Sequence, residues 1–155
     1  RTEGGEAVAE LRVRHSHLHG IDVPAARAAS MIDEYPILAI AATQAEGVTR
    51  MHGVSELRVK ETDRIAVVAD GIGAAGGSVI YDEDSMTVTG GNIAGGVTIA
   101  SQHDHRIAMS FLTLGMVSEA AITVTGCMTI NTSFPDFAPL MNGCGAAISA
   151  AEAKG

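Results

Sequence analysis

Polar and apolar residues alternate from Ala9 through Leu11 and Val13 to Arg14, the period-two signature of a half-buried strand. His15, His17 and His19 continue the alternation. On a strand they share one face, either as metal ligands or as a polar surface edge. No nearby Cys or carboxylate completes a ligand set, which favours the edge. Residues 1–7 read as a flexible end. The pattern then turns helical. A helix is predicted from Ile32 to Glu46, starting near Asp33 because Pro36 fits only a first turn, and ending on Gly47. Its middle is apolar nearly all round, as in a buried helix. A short strand at 48–51 follows. Ile65, Val68, Ala69 and Ile72 then mark the buried stripe of a second helix, about 62–75, closed by Gly76 and Gly77. Residues 78–81 and 86–89 form a hairpin around the turn 82–85, and a further strand lies near 97–100.

The same order returns. A helix starts near Asp104 and runs to about 117, and a strand covers 121–125. Ser133 and Asp136 have capping-box spacing before another helix, which ends around Gly143–Gly145. A last strand is predicted at 146–150. Equivalent helix starts and strands recur about 72 residues apart, longer than solenoid repeats, so a duplicated α/β module fits better than an array. The two units are placed at approximately 8–100 and 101–155.

Composition narrows the class. With two Tyr, three Phe and no Trp, the core must be built from Ala, Val, Ile, Leu and Met. The net charge of −8 makes a broad nucleic-acid or acidic-membrane surface a poor fit. No uninterrupted apolar stretch reaches the length of a membrane span. The chain opens on Arg1 and not on Met, as a segment of a longer polypeptide would, and no leader pattern points to secretion. Cys127 and Cys144 do not make a disulfide framework and fit a reducing cytoplasm, with a single bridge between them left open.

Three polar clusters interrupt apolar text: Asp33–Glu34, Arg58 through Arg64, and His103 through Arg106. Each opens a predicted helix, where free N–H groups favour anions. Any one of them, taken alone, reads more readily as an ordinary cap or a solvated first turn, and Asp63 and Asp104 fit the cap role. Residues i and i+2 at a helix start point to different faces, so His103–Asp104–His105 is a poor metal site. If the two units stack side by side, the helix starts meet. Asp33, Lys60, Glu61, Arg64 and Arg106 then gather into one anion-binding mouth.

The segments LRVKETDR (57–64), DHRIAMSF (104–111) and SFPDF (133–137), in series with MIDEYPILAIAA (31–42) and LRVRHSHLHGIDVP (11–24), resemble the 3-phosphoshikimate 1-carboxyvinyltransferases, or EPSP synthases. The likeness is greatest to the bacterial branch known for glyphosate-tolerant members. It implies an inside-out α/β barrel of repeated βαβαββ units, about two of them present here, with the family's other domain missing from the chain. It also implies transfer of the enolpyruvyl group of phosphoenolpyruvate to the 5-hydroxyl of shikimate 3-phosphate in the cytoplasm, with no metal or cofactor. The isolated chain would lack activity, and its partner would be the missing N-terminal portion of the enzyme. By motif, Asp33 and Glu61 would be catalytic, and Asp33 and Lys60 would bind shikimate 3-phosphate. Arg64 and Arg106 would bind phosphoenolpyruvate, with His105 in support. Two positions depart from the common pattern. Thr132 stands where many members have Lys, and Glu56 where a common variant has Asn. A nucleotide-sugar enolpyruvyl transferase and a non-catalytic binding module are the competing readings.

Overall fold

The computed structural model describes residues 1–150 of the chain. Strands β1 (Thr2–Glu3) and β2 (Glu6–Ala7) make a small exposed antiparallel hairpin where a flexible end is predicted. The expected strand from Ala9 to Arg14 does not form. Leu11 and Val13 are 86% and 91% exposed, and the segment finds no pairing edge. Alternation describes a strand only when a neighbour takes up its backbone groups.

Pairing resumes at His19, which bridges to Glu46, and at β3 (Asp22–Val23). Helix α1 (Ala28–Met31) and a 3₁₀ turn (Ile32–Glu34) lead into α2 (Tyr35–Thr43). The α-helix thus starts two residues later than predicted, with Pro36 in its first turn. It also ends earlier. Gly47, with φ of +92°, turns the chain into β4 (Val48–His52) and does not close α2. A 3₁₀ segment (Ser55–Val59) leads to α3 (Arg64–Ala74), and the hairpin β5 (Ser78–Tyr81) and β6 (Ser85–Thr89) follows. These elements form a mixed sheet ordered β3-β4-β6-β5, in which β3 and β4 are parallel.

The chain then repeats its opening move. β7 (Thr98–Ala100), α4 (His105–Leu114) and β8 (Thr123–Thr125) form a second parallel pair joined by a helix. Both helical connections, β3-α2-β4 and β7-α4-β8, are therefore the same unit. Helices α5 (Ile130–Ser133) and α6 (Phe137–Gly143) end the described part. Ser133 closes α5, and the Asp136 side chain makes no capping bond to α6, so the predicted capping box is absent. No strand forms at 146–150, and 151–155 lie outside the described residues. Among the described residues the two larger sheets do not close into a barrel.

Helices α2, α3 and α4 pack on one another beneath the sheets. α2 is buried on nearly every side, as its composition predicts. The α3 stripe Ile65, Val68, Ala69 and Ile72 is buried. It meets Ile107, Phe111 and Leu114 of α4 and Met51, Met86 and Val88 of the four-stranded sheet in one core. Each such large apolar side chain contributes about 1.5–3 kcal/mol. The α3–α4 contact needs Gly71, because any Cβ there would overlap the Phe111 ring. This helix cluster fixes the ends of α2, α3 and α4 relative to each other, and those ends carry the site.

Candidate active site

Three helix starts converge. Asp63 caps α3, its side chain accepting from Ala66 N at 3.1 Å. Asp104 caps α4, accepting from Arg106 N at 2.9 Å and Ile107 N at 3.3 Å. The cap at Asp104 is presented by Gln102 and His103, both at positive φ (51° and 62°), a conformation that non-glycine residues adopt only when their surroundings enforce it. Thr62 Oγ1 donates to Gln102 Oε1 at 2.6 Å and ties the α3 and α4 lead-ins together.

Arg64 sits at the centre. Its side chain is 1% exposed, and every bond it makes goes to a carboxylate. Nε donates to Asp104 Oδ2 at 2.7 Å, Nη1 to Asp33 Oδ1 at 2.9 Å and Nη2 to Glu61 Oε2 at 2.6 Å. Asp104 is fully buried, whereas Asp33 and Glu61 open to solvent. Arg106, with its side chain 32% exposed, donates to Asp33 O at 3.0 Å and to Glu34 Oε1 at 3.1 Å, and lies 3.5 Å from Asp33 Oδ2. Lys60 is held by Glu56 at 2.7 Å and acts on Asp33 only through its charge. His105 is half-buried and makes no hydrogen bond or ion pair among the described residues.

The electrostatics follow from this packing. Burial pushes Asp33 up, but the hydrogen bond from Arg64 and the charges of Arg106, Arg64 and Lys60 outweigh it and hold the carboxyl below its ordinary value. Burial likewise lowers Arg64, and its carboxylate partners, Asp104 first, more than restore it. Both groups are therefore fixed in their charged forms. Four carboxylates (Asp33, Glu34, Glu61 and Asp104) face two guanidiniums, which leaves an excess of negative charge.

The structure thus brings Asp33, Glu61, Arg64 and Arg106 into direct contact and sets Lys60 beside them. Two features escape sequence reasoning. Asp104 is the innermost partner of Arg64 as well as a cap, and Glu34 is a partner of Arg106. Elsewhere, no group of three His, Cys, Asp or Glu side chains among the described residues is arranged to hold a metal ion. His15 and His17 stack edge to face at 5.8 Å, and His19 pairs with Glu46. Cys127 and Cys144 are free thiols. No helix among the described residues is long and apolar enough to cross a membrane.

The class this defines is a mixed α/β fold whose joined helix starts carry one ion cluster, its two guanidiniums held by carboxylates. The chain belongs to the EPSP synthase (3-phosphoshikimate 1-carboxyvinyltransferase) family, whose sequence model matches residues 3–141. A 3-phosphoshikimate 1-carboxyvinyltransferase of Parvibaculum lavamentivorans is 58% identical over 148 residues, which cover 94% of this chain and 33% of the relative. The protein of that name from Rhodospirillum rubrum is 58% identical over 151 residues, covering 96% and 34%. The solved EPSP synthase of Acinetobacter baumannii superposes with a TM-score of 0.82 at 45% identity, covering 86% of this chain and 32% of that one. The chain therefore spans about one third of the length of the relatives it matches.

Proposed function

We propose that this chain supplies one wall of an enolpyruvyl transfer site acting on phosphoenolpyruvate and shikimate 3-phosphate, in a full-length, cytoplasmic enzyme. The observation that carries this is the joining of Asp33 and Glu61 through one buried arginine, with Arg106 against the same Asp33 carboxylate. Transfer requires that C2 of phosphoenolpyruvate gain the 5-hydroxyl oxygen while C3 gains a proton. Collapse of the adduct then returns a proton from C3 and expels phosphate. Glu61, exposed at the mouth and anchored by Arg64, gives and takes the C3 proton. Asp33 is held in its charged form, an acceptor that fixes the 5-hydroxyl and takes its proton as the oxygen bonds C2. Lys60 takes the shikimate ligand. Arg106 and the outer edge of Arg64 take the phosphoenolpyruvate carboxylate, exchanging bonds now made to Glu34 and Asp33. His105 supports Arg106 from the neighbouring position on α4.

The remaining cations that two anionic substrates need come from the part of the enzyme outside this chain, so the chain alone is inactive. That part supplies the second domain and the units that complete the barrel. Thr132, in place of the common Lys, supports placement in the branch known for glyphosate-tolerant members. The test is steady-state turnover of both substrates by the full-length polypeptide bearing this segment. Glu61→Gln is expected to lower kcat by about 10²–10⁴-fold. Unchanged turnover would remove the proposed acid and the mechanism with it.

A further inference from the structure

Lys60 and Glu61 stand on a loop held by side-chain bonds and not by burial: Lys60 to Glu56, Glu61 to Arg64 and Thr62 to Gln102. Leu57 is its last buried residue before Arg64, and none of residues 58–63 is buried. Val59 points outward at 79% exposure. The side chain that spans this gap is Arg58, which makes no hydrogen bond or ion pair with Arg64, Arg106 or their carboxylate partners among the described residues. Its Nε donates to Glu83 O at 3.1 Å, and Nη2 donates to Asp82 O. Its Nη1 donates to Asp63 Oδ2 at 2.6 Å, while the other oxygen of that carboxylate caps α3. The guanidinium also lies 5.8 Å from the centre of the Tyr81 ring. The hairpin turn it grips is itself built to be gripped. Asp84 N donates to Asp82 Oδ1 at 2.9 Å, and Asp84 receives Ser55 N at 2.9 Å and Val54 N at 3.1 Å.

We propose that Arg58 is a positioning residue that clamps the Lys60–Glu61 loop between the β5–β6 turn and the α3 cap, and so sets where both side chains stand. The Arg58–Asp63 pair closes a short ring around the two residues. A planar fork with donors on three nitrogens can serve two carbonyls and a carboxylate at once, which an ammonium on a flexible stem cannot. The catalytic part of this inference rests on the proposed function. The clamp itself does not.

The test therefore has two arms. In the 155-residue chain, backbone order parameters of Lys60–Thr62 are expected to fall from about 0.85 toward 0.6 in Arg58→Ala, with those of α4 unchanged. In the full-length polypeptide, Arg58→Ala is expected to lower kcat about 10–100-fold through Glu61 and to raise KM for shikimate 3-phosphate through Lys60, with KM for phosphoenolpyruvate within about threefold and partial recovery in Arg58→Lys. Asp63→Asn, whose single carbonyl oxygen keeps the α3 cap while an amide NH2 replaces the oxygen that accepts from Arg58, is expected to show the same pattern and covers the case in which Arg58→Ala does not fold. An unchanged loop, or order lost equally in α4, would overturn the clamp. A mobile loop with wild-type kcat would overturn its catalytic role. Loss of loop order in Arg58→Ala, beside a wild-type full-length protein that does not turn over the two substrates, would sink the proposed function and leave the clamp standing.

Discussion

Asp104→Ala tests the centre of the molecule. The substitution removes the innermost partner of a guanidinium that is 1% exposed and leaves Asp33 and Glu61 to hold it from the solvent side. Breaking a buried pair by deleting one member costs about 3–5 kcal/mol, because the remaining charge stays in the protein unpaired. The two surviving carboxylates place the loss near the lower end, about 3 kcal/mol. The same side chain also caps α4 through Arg106 N and Ile107 N, and losing a cap costs about 1 kcal/mol. Asp104→Asn separates the terms, since its carbonyl oxygen still caps while its charge is gone. Urea denaturation of the chain, followed by circular dichroism, should therefore show Asp104→Ala less stable than wild type by about 4 kcal/mol. Asp104→Asn should lie about 1 kcal/mol above the alanine variant. For a domain of this size the alanine loss corresponds to a melting point lower by about 8–16 °C. A loss under about 1 kcal/mol in Asp104→Ala would refute the claim that Arg64 depends on this partner.

The lowered Asp33 carboxyl makes its contribution to stability present above the ordinary carboxylate range, and that contribution disappears as pH falls through the folded-state value. The stability difference between wild type and Asp33→Asn should accordingly shrink on acidification, and a gap that stays constant with pH contradicts this assignment. Gly71→Ala should destabilise the chain by about 1–3 kcal/mol, because the overlap with Phe111 outweighs alanine's helix preference of about 1 kcal/mol. A raised urea midpoint would count against that close contact. Burial pushes the Cys127 thiol up, whereas Cys144 is exposed. Titration with a disulfide reagent at mildly alkaline pH should thus be biphasic, and Cys144→Ser should remove the fast phase.

What the lettering reveals and what it hides divide along a physical line. The α3 stripe, the caps at Asp63 and Asp104 and the hairpin 78–89 were legible because each depends on neighbours a few residues away. The repeat allowed the meeting of the three polar clusters to be foreseen. The strand at Ala9–Arg14 failed because pairing is decided by an edge elsewhere in the fold, and Leu11 and Val13 found none. The capping box at Ser133 failed because α5 claimed that residue as its last turn. Within the site, the Arg64–Asp104 bond was hidden because it joins residues 40 apart and Asp104 already had a sufficient local role. The grip of Arg58 on the β5–β6 turn was hidden because its acceptors are main-chain carbonyls, which leave no mark in the sequence.

Arg64 is bound to Asp33, 31 positions upstream, and to Asp104, 40 positions downstream. Neither end of that span can be exchanged without the other. A transplant into a related scaffold that stops short of either aspartate would carry a stranded cation into the interior. The stretch from Asp33 to Asp104 therefore has to move as one piece in recombination, natural or engineered, for Arg64 to keep both partners.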